Sequence, residues 1–440
     1  MIATIEPRAL AGEVRAISSK SVAHRLIIAA ALANGQTELD CATTCDDIDA
    51  TVRCLTALGA RIVRTDTGYR IFPIPKSREK GILAALKGAV LDCGESGSTL
   101  RFMLPVACAL GADATFTGSE RLGQRPLGEL AAEIVAAGCD ITGLGAFPLA
   151  TSGRMRPGRF ILPGDVSSQY ISGILLAAPL LPGPVEVLAR GRIESKPYVS
   201  LTVRALEAFG VSVHTRTFVG ATAEEPQTLF IVEGEGYRTP GSLAVEGDWS
   251  NAAFWLCAGA LGTAPLTVTG ISPQSVQGDR AVTAALVLFG AKIMRGSGSV
   301  TVRPDRLRGI RLSAKDIPDL VPVISVVAAC AEGETVIEDC ARLRMKESDR
   351  LATTTEMLRA LGADVRIEGD SLVIAGRPAL TGGTVRAHND HRIAMSAAVA
   401  AIRAQGPVAI EGAEAVAKSY PAFFEHYRAL GGSVICKEAI

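Results

Sequence analysis

The chain has 440 residues, 48% of them hydrophobic and 5% aromatic, with 45 Lys and Arg balanced by 45 Asp and Glu. That length exceeds what one hydrophobic core supports, so two domains are expected. Zero net charge removes any bulk-charge case for nucleic acid or an anionic membrane, the ten cysteines show no CxxC or zinc-like spacing, and no apolar run is both long enough and free of breaks to cross a membrane.

A strand is expected first, followed by a crossing near Pro7–Gly12 that leaves this strand with the C-terminal domain. A helix starts near Ser19 with SKSVAHR. Ser21 and Arg25 are i,i+4 neighbours there and share a face. Lys20 stands at the helix N-terminus, where the dipole favours anions; a solvated basic turn and a bound phosphate or carboxylate both account for it. A second helix ends at LGARI (Gly59). Near Ser96, GESGSTLR opens another helix, its flanking glycines allowing either a tight turn or close approach of a ligand. In RLGQRP, Arg125 precedes Pro126, which suits the first position of a helix. That helix ends at AGCDI (Gly138).

Near Ser167, DVSSQY opens a very apolar helix through ISGILLAAPLL (171–181), read as buried. Ser167, Ser168 and Gln169 offer more polar groups than capping alone uses. The turn Ser195-Lys196-Pro197-Tyr198 follows, and then FGVSV (Gly210) ends a helix. The Gly/Pro-rich segment 234–242 (GEGYRTPGS) marks a domain switch. The second half repeats the pattern: GDWSNAA near Ser250, GDR, FGAKI (Gly290), IPDL near Pro318, RLRMKESDR (342–350), LGADV (Gly362), NDHR near Asn389, KSYP (418–421) and LGGSVI (Gly431). Ser348 is read as the cap of its helix, with Lys346 and Glu347 just ahead and Arg350 in the first turn. Lys418 is read as preceding the final helix.

The phrase-ending glycines are spaced by 79, 72, 80, 72 and 69 residues, a period of roughly 75. In each, an amphipathic helix ends, Gly supplies a left-handed cap and a strand begins. The fold class is therefore α/β, six copies of an approximate β-α-β-α-β-β unit, three per domain. The second set of helix starts recurs with the same period, and those starts carry hydroxyls, cations and a few carboxylates. Converging helix N-termini make an anion site, so a small, highly anionic substrate is expected. No metal site, catalytic triad or dinucleotide fingerprint is present in the sequence pattern.

These motifs in this order (SKSVAHR, GESGSTLR, QRP, SSQY, SKPY, VEGDWS, GDR, IPD, KESDR, NDHRIAM, KSYP) resemble the EPSP synthase family, the 3-phosphoshikimate 1-carboxyvinyltransferases, across essentially the whole chain. The resemblance implies two similar domains, each of three β-α-β-α-β-β repeats around a pseudo-threefold axis. It implies domains at 13–238 and at 1–12 plus 239–440, with the active site in the cleft between them. It implies transfer of the enolpyruvyl group of phosphoenolpyruvate to the 5-hydroxyl of shikimate 3-phosphate, with no cofactor and no metal.

By motif, Lys20, Ser21, Arg25, Ser167, Ser168, Gln169, Ser195, Tyr198, Asp319 and Lys346 correspond to the shikimate 3-phosphate set. Lys20, Gly97, Arg125, Gln169, Arg350, His391, Arg392 and Lys418 correspond to the phosphoenolpyruvate set. Asp319 corresponds to the base at the hydroxyl and Glu347 to the acid/base at the vinyl carbon, with Lys20 sharing in proton transfer. The chain departs from relatives at Glu95 and Arg342, where some carry Asn, and at Phe102, where some carry Pro. UDP-N-acetylglucosamine enolpyruvyl transferases share the fold and donor but lack SKS, SSQ and KESDR. A catalytically dead relative would have lost Lys20, Asp319 or Glu347, and all three are present. A monomer in the cytoplasm is expected, with reduced thiols, no signal-peptide pattern and no nucleic-acid or membrane partner.

Overall fold

The computed structural model describes residues 1–75, 86–219, 226–234 and 236–438; Glu235 of the expected switch segment lies outside them. The chain divides into two compact units, Met1–Ile17 with Glu246–Ile440, and Ser18–Val245.

All six phrase-ending glycines have positive φ, from +73° at Gly210 to +110° at Gly290. An L side chain is strained there, which is why Gly recurs. At the first, Gly59 N donates to Thr56 O (2.9 Å) and Ala60 N reaches back to Leu55 O (3.0 Å), so the carbonyls left over at the helix end are satisfied. The strand Arg61–Arg64 begins at once.

Among the described residues the strands form six four-stranded sheets of one topology. In the sheet built from 311–375, Arg311–Ser313 runs parallel to Glu334–Glu338. Glu334–Glu338 pairs antiparallel with Ser371–Ala375, and Asp364–Glu368 closes the edge as a hairpin on Ser371–Ala375. In chain order this is 1-2-4-3. The parallel pair forces a helical crossover and the antiparallel pair a tight turn.

Three strands are exchanged between distant parts of the chain. Ile2–Glu6 lies between Val408–Glu411 and Ser433–Lys437 and completes the last repeat. Gly12–Arg15 runs parallel to Leu266–Thr269 and opens the fourth repeat. Ser242–Ala244 runs parallel to Thr37–Asp40 and opens the first. The unit boundaries at 17/18 and 245/246 therefore fall later than the expected 12/13 and 238/239, because each exchanged strand is carried past the expected crossing.

Each unit buries one helix set inside its sheets. In Ser18–Val245 the helices Lys20–Ala31, Asp46–Ala57, Gly97–Leu110, Ser168–Ala177 and Lys196–Ala208 pack in a closed ring of neighbours. In the other unit Trp249–Leu261, Val321–Ala329 and His391–Ala400 pack on one another pairwise. Every residue of Trp249–Leu261 is buried; of the stretch 171–181 read as one buried helix, 171–177 is buried α-helix, while Ala178–Leu180 is a 3-10 turn with Leu180 half-buried. Among the described residues no helix is long and apolar enough to cross a membrane. All ten cysteines are free, and only Cys436 is exposed.

Candidate active site

The helix starts decide where the polar groups sit. Ser96 Oγ accepts from Thr99 N (3.2 Å) and Ser167 Oγ from Gln169 N (3.3 Å), each capping its helix. In the other unit Asp replaces Ser. Asp248 caps Trp249–Leu261, Asp349 caps Arg350–Ala360 and Asp390 caps His391–Ala400. The expected starts at Ser250, Ser348 and Asn389 are corrected by one or two residues. The physical reason is that a carboxylate accepts the orphan N–H groups and also complements the helix dipole.

Pro126 does not open a helix. Its helix is Gly128–Ala136, and the Pro126 carbonyl instead accepts from Arg101 Nη2 (3.2 Å) and Tyr170 Oη (2.6 Å). Lys418 does not adjoin the last helix either. It ends the short 3-10 turn Ala413–Lys418, while the helix begins at Phe423.

In the unit Ser18–Val245, Lys20 is half-buried and its Nζ donates to Asp47 Oδ2 at 2.8 Å. Arg25 is buried: Nε donates to Thr202 Oγ1 (2.7 Å), Nη1 to Ser21 O (2.6 Å) and Nη2 to Tyr198 O (3.0 Å). Phe102 lies under its guanidinium, 4.9 Å from ring centre to Cζ. Burial pushes the Arg25 pKa down to about 10, and it stays charged at neutral pH. Burial, with Lys20 and Arg25 nearby, holds the neighbouring His24 neutral, its pKa well below the ordinary value.

Gln169 is fixed at both ends. Its Oε1 accepts from Arg101 Nη1 (2.8 Å) and its Nε2 donates to Ser98 Oγ (2.9 Å). Gly97 sits beneath two guanidiniums; a Cβ there would lie 2.8 Å from Arg125 Cζ and 3.2 Å from Arg101 Nη1. Ser168 and Ser195 are buried, Ser195 in a left-handed conformation at φ 55°, and Ser21, Ser167 and Tyr198 are half-buried.

In the other unit the residues form one charge cluster. Arg350 is 1% exposed. Its Nη1 donates to Asp319 Oδ1 (2.7 Å), Nε to Asp390 Oδ2 (2.8 Å), Nη2 to Asp390 Oδ1 (3.2 Å), and Nη2 also to Glu347 Oε2. Burial opposes its charge, but Asp390, Glu347 and Asp319 outweigh that and raise its pKa. Asp319 also meets Lys346 Nζ (3.4 Å) and Arg392 Nη2 (3.3 Å), so three cations share one carboxylate. Burial lowers the Lys346 pKa, with Asp319 acting in the opposite direction.

Asp390 is fully buried and also accepts from Ser348 Oγ (2.8 Å) and Arg392 N (3.0 Å). Burial raises its pKa, but Arg350 wins and carries it below the ordinary value. His391 is buried beside it at the first position of the helix. Lys418 Nζ donates to Asn389 O (2.7 Å), and Asn389 has φ 55°.

Within its own unit, Lys20, Arg25, Lys346, Arg350, Arg392 and Lys418 each meet a carboxylate, a carbonyl or a hydroxyl, whereas Arg125 Nε is buried with no hydrogen-bond partner among the described residues. Sequence reading missed Asp47, Arg101 and Asp390 as site groups. Asp390 was signalled by its place two residues before Arg392 at a helix start. Asp47 lies in no motif, and only its place in the acidic first turn of Asp46–Ala57 marks it. Glu95 is exposed and Arg342 half-buried. Among the described residues no group of three His, Cys, Asp or Glu side chains is arranged to hold a metal ion.

The family model described as EPSP synthase (3-phosphoshikimate 1-carboxyvinyltransferase) matches residues 5–427. The chain is 38% identical over 432 residues to a 3-phosphoshikimate 1-carboxyvinyltransferase of Clostridium kluyveri, covering 98% of this chain and 97% of that one. It is 36% identical to the protein of the same name from Clostridium novyi, with the same coverage. Among solved structures it is similar to EPSP synthase from Acinetobacter baumannii, at TM-score 0.79 and 25% identity over 100% of both chains. Similarity to the enolpyruvyl transferase NikO from Streptomyces tendae, at TM-score 0.76 and 20% identity over 100% of this chain and 99% of that one, concerns the fold.

Proposed function

The chain belongs to the EPSP synthase family, and from that premise we propose how its own residues carry the reaction. It transfers the enolpyruvyl group of phosphoenolpyruvate to the 5-hydroxyl of shikimate 3-phosphate and releases phosphate. In the first step the hydroxyl oxygen bonds to C2 of phosphoenolpyruvate, the hydroxyl loses its proton and the methylene carbon gains one. In the second, a proton leaves the new methyl group, the C2–O bond to phosphate breaks and the vinyl ether forms. No redox change occurs, and the reading includes no cofactor and no metal.

In this reading Asp319 takes the hydroxyl proton. Glu347 delivers the proton to the methylene carbon and later removes one, and Lys20 shares in proton transfer. Lys20, Ser21, Arg25, Ser167, Ser168, Gln169, Ser195, Tyr198, Asp319 and Lys346 serve shikimate 3-phosphate. Lys20, Gly97, Arg125, Gln169, Arg350, His391, Arg392 and Lys418 serve phosphoenolpyruvate. Arg25 is buried and tied to Thr202 and Tyr198, so its part is to hold Ser21 and Tyr198 and to supply positive charge.

The observation that carries the reading is the cluster of Lys346, Arg350 and Arg392 around Asp319, with Glu347 on Arg350. Two polyanionic substrates need such cations to offset their repulsion, and Asp319 and Glu347, the base and the acid of this reading, are paired with them. We also read the protein as a cytoplasmic monomer without nucleic-acid or membrane partners, on its zero net charge and free thiols; light scattering of the purified chain tests the monomer. The activity is tested by phosphate release from phosphoenolpyruvate with shikimate 3-phosphate and UDP-N-acetylglucosamine in parallel. Release with shikimate 3-phosphate alone is expected. Release with the nucleotide sugar alone would overturn the acceptor, and release with neither from folded protein would point to a dead relative.

A further inference from the structure

The helix start SKSVAHR carries one residue that the steps above leave unused. His24 is 1% exposed and lies one turn along the helix Lys20–Ala31 from Lys20. On the neighbouring helix Asp46–Ala57, the buried Thr51 lies one turn from Asp47. Residues four apart share a helix face, so the two helices meet in two successive rungs. The outer rung is the ion pair of Lys20 Nζ with Asp47 Oδ2 (2.8 Å). The inner rung joins His24 Nδ1 to Thr51 Oγ1 at 2.7 Å.

The inner rung runs on past Thr51. Thr51 Oγ1 lies 2.8 Å from Thr99 Oγ1, whose hydroxyl reaches Ser96 Oγ (2.8 Å) and Asp47 O (3.3 Å). Ser96 caps the helix Gly97–Leu110 by accepting from Thr99 N. Each hydroxyl has one proton to give. Thr99 gives its proton to Ser96 Oγ or to Asp47 O, so its oxygen accepts from Thr51, and Thr51 in turn accepts from Nδ1–H of His24. The chain therefore runs one way, from His24 toward the N-termini of the other two helices. His24 Nε2 is buried with no hydrogen-bond partner among the described residues. A bare lone pair tolerates that better than an orphaned N–H does, and burial already holds the ring neutral.

We propose that His24, Thr51 and Thr99 are positioning residues for phosphoenolpyruvate: their hydrogen-bond chain fixes three helix N-termini against one another, and through them the Lys20–Asp47 pair and Gly97. Lys20 and Gly97 are the first residues of two of the joined helices, and Asp47 O meets the Thr99 hydroxyl directly. Lysine carries a point charge on a flexible four-carbon stem; Asp47 can anchor it only while its own helix is held. Ser167, Ser168, Ser195 and Tyr198, read as shikimate 3-phosphate groups, stand at the starts of Ser168–Ala177 and Lys196–Ala208, which the chain does not include. The proposal rests on the reading of Lys20 and Gly97 as phosphoenolpyruvate groups.

The test uses the full-length chain. Thr51→Val keeps the side-chain shape and deletes the link, and Thr51→Ser restores the hydroxyl. In T51V the KM for phosphoenolpyruvate is expected to rise about three- to tenfold, the span of one buried hydrogen bond, with the KM for shikimate 3-phosphate moving less than about twofold. T51S should return the first value close to that of the wild type. Equal rises for both substrates, a lower melting temperature with neither KM changed, or a T51S protein that behaves like T51V would each assign the chain a purely structural role and overturn the proposal. Asp47→Asn loosens Lys20 directly. A shifted KM for phosphoenolpyruvate there, with none in T51V, overturns the proposal alone; no shift in either overturns the reading of Lys20 beneath it as well. The wild-type protein supplies a measurement that no misfolded variant can spoil. Nitrogen NMR of isotope-labelled histidine, with the His24 signal identified by its loss in His24→Asn, is expected to show the neutral Nδ1–H tautomer at neutral pH. The Nε2–H tautomer would reverse the chain and overturn the proposal.

Discussion

Removing the Asp390 carboxylate should destabilise one unit of the protein selectively, by an amount that can be worked from its contacts. Asp390 is fully buried and joins Arg350, Ser348 and the N-terminus of His391–Ala400. Breaking one partner of a buried ion pair costs roughly 3–5 kcal/mol. Arg350 keeps Asp319 and Glu347 as partners, which places the electrostatic loss near the low end. Losing the helix cap adds about 1 kcal/mol. Asp390→Ala is thus expected to cost about 4 kcal/mol, and Asp390→Asn, which keeps the cap, about 3 kcal/mol.

The assay is urea unfolding followed by tryptophan fluorescence. Both tryptophans of the chain, Trp249 and Trp255, are buried in the same unit as Asp390, so the signal reports that unit. Combining D390A with Arg350→Met should cost about 2 kcal/mol less than the sum of the single losses, since the two residues share one interaction. The sign with pH is fixed as well. The folded-state pKa of Asp390 is lowered, so its contribution is present above the unfolded value of about 4 and fades as pH falls through the folded value. The deficit of D390N should shrink on acidification. A loss below about 1 kcal/mol in D390A, or strict additivity with R350M, would refute the ion-pair account.

Three further outcomes are expected. Asp279, with its folded pKa raised to about 7, binds its proton more tightly folded than unfolded; wild-type stability should fall relative to D279N as pH rises from about 4 to about 7, by on the order of 3 kcal/mol, and parallel curves would show that Asp279 does not titrate there. Gly97→Ala places a Cβ 2.8 Å from Arg125 Cζ and 3.2 Å from Arg101 Nη1, so those guanidiniums must shift; KM for phosphoenolpyruvate should rise several-fold with a smaller change in kcat, and an unchanged KM would separate Arg125 from that substrate. Glu347→Gln should leave ligand affinity largely intact by calorimetry while turnover falls by about a hundredfold or more; near-normal turnover would take Glu347 out of the chemistry.

The repeat was legible because one residue type has no substitute at one place. A helix that turns straight into a strand needs a left-handed residue, and all six glycines of the phrase occupy that conformation. The partners of the exchanged strands were not legible. Gly12–Arg15 and Ser242–Ala244 are four and three residues long, too short for an alternation to show. Their partners Leu266–Thr269 and Thr37–Asp40 lie more than two hundred residues away in the chain. Pairing at that range is settled by packing, not by local pattern. The helix starts near Ser250 and Asn389 were placed to within a residue or two, but the cap fell to the neighbouring Asp in each case. Local sequence offered two acceptable caps, and charge on the helix dipole selected between them.

The cations were visible in the motifs, and their counter-ions mostly were not. Burying Arg350 is prohibitive unless carboxylates surround it, so a site built to receive anions must supply its own negative charge before they arrive. Lys20 is matched by Asp47, Arg350 by Asp319, Glu347 and Asp390, and Arg392 by Asp319. These counter-ions fall into two kinds. Asp390 is fully buried and fixed by four donor groups, so it is structural. Asp319 and Glu347 are partly exposed, at 14% and 27% of their side-chain surface. In the proposed assignment, a substrate anion that takes a cation from either one leaves that carboxylate more basic at the moment a proton must be accepted. The same acids would then neutralise the empty site and perform the chemistry of the filled one. That is why Glu347→Gln is expected to separate binding from turnover: the amide still accepts from Arg350, but it has no proton to exchange.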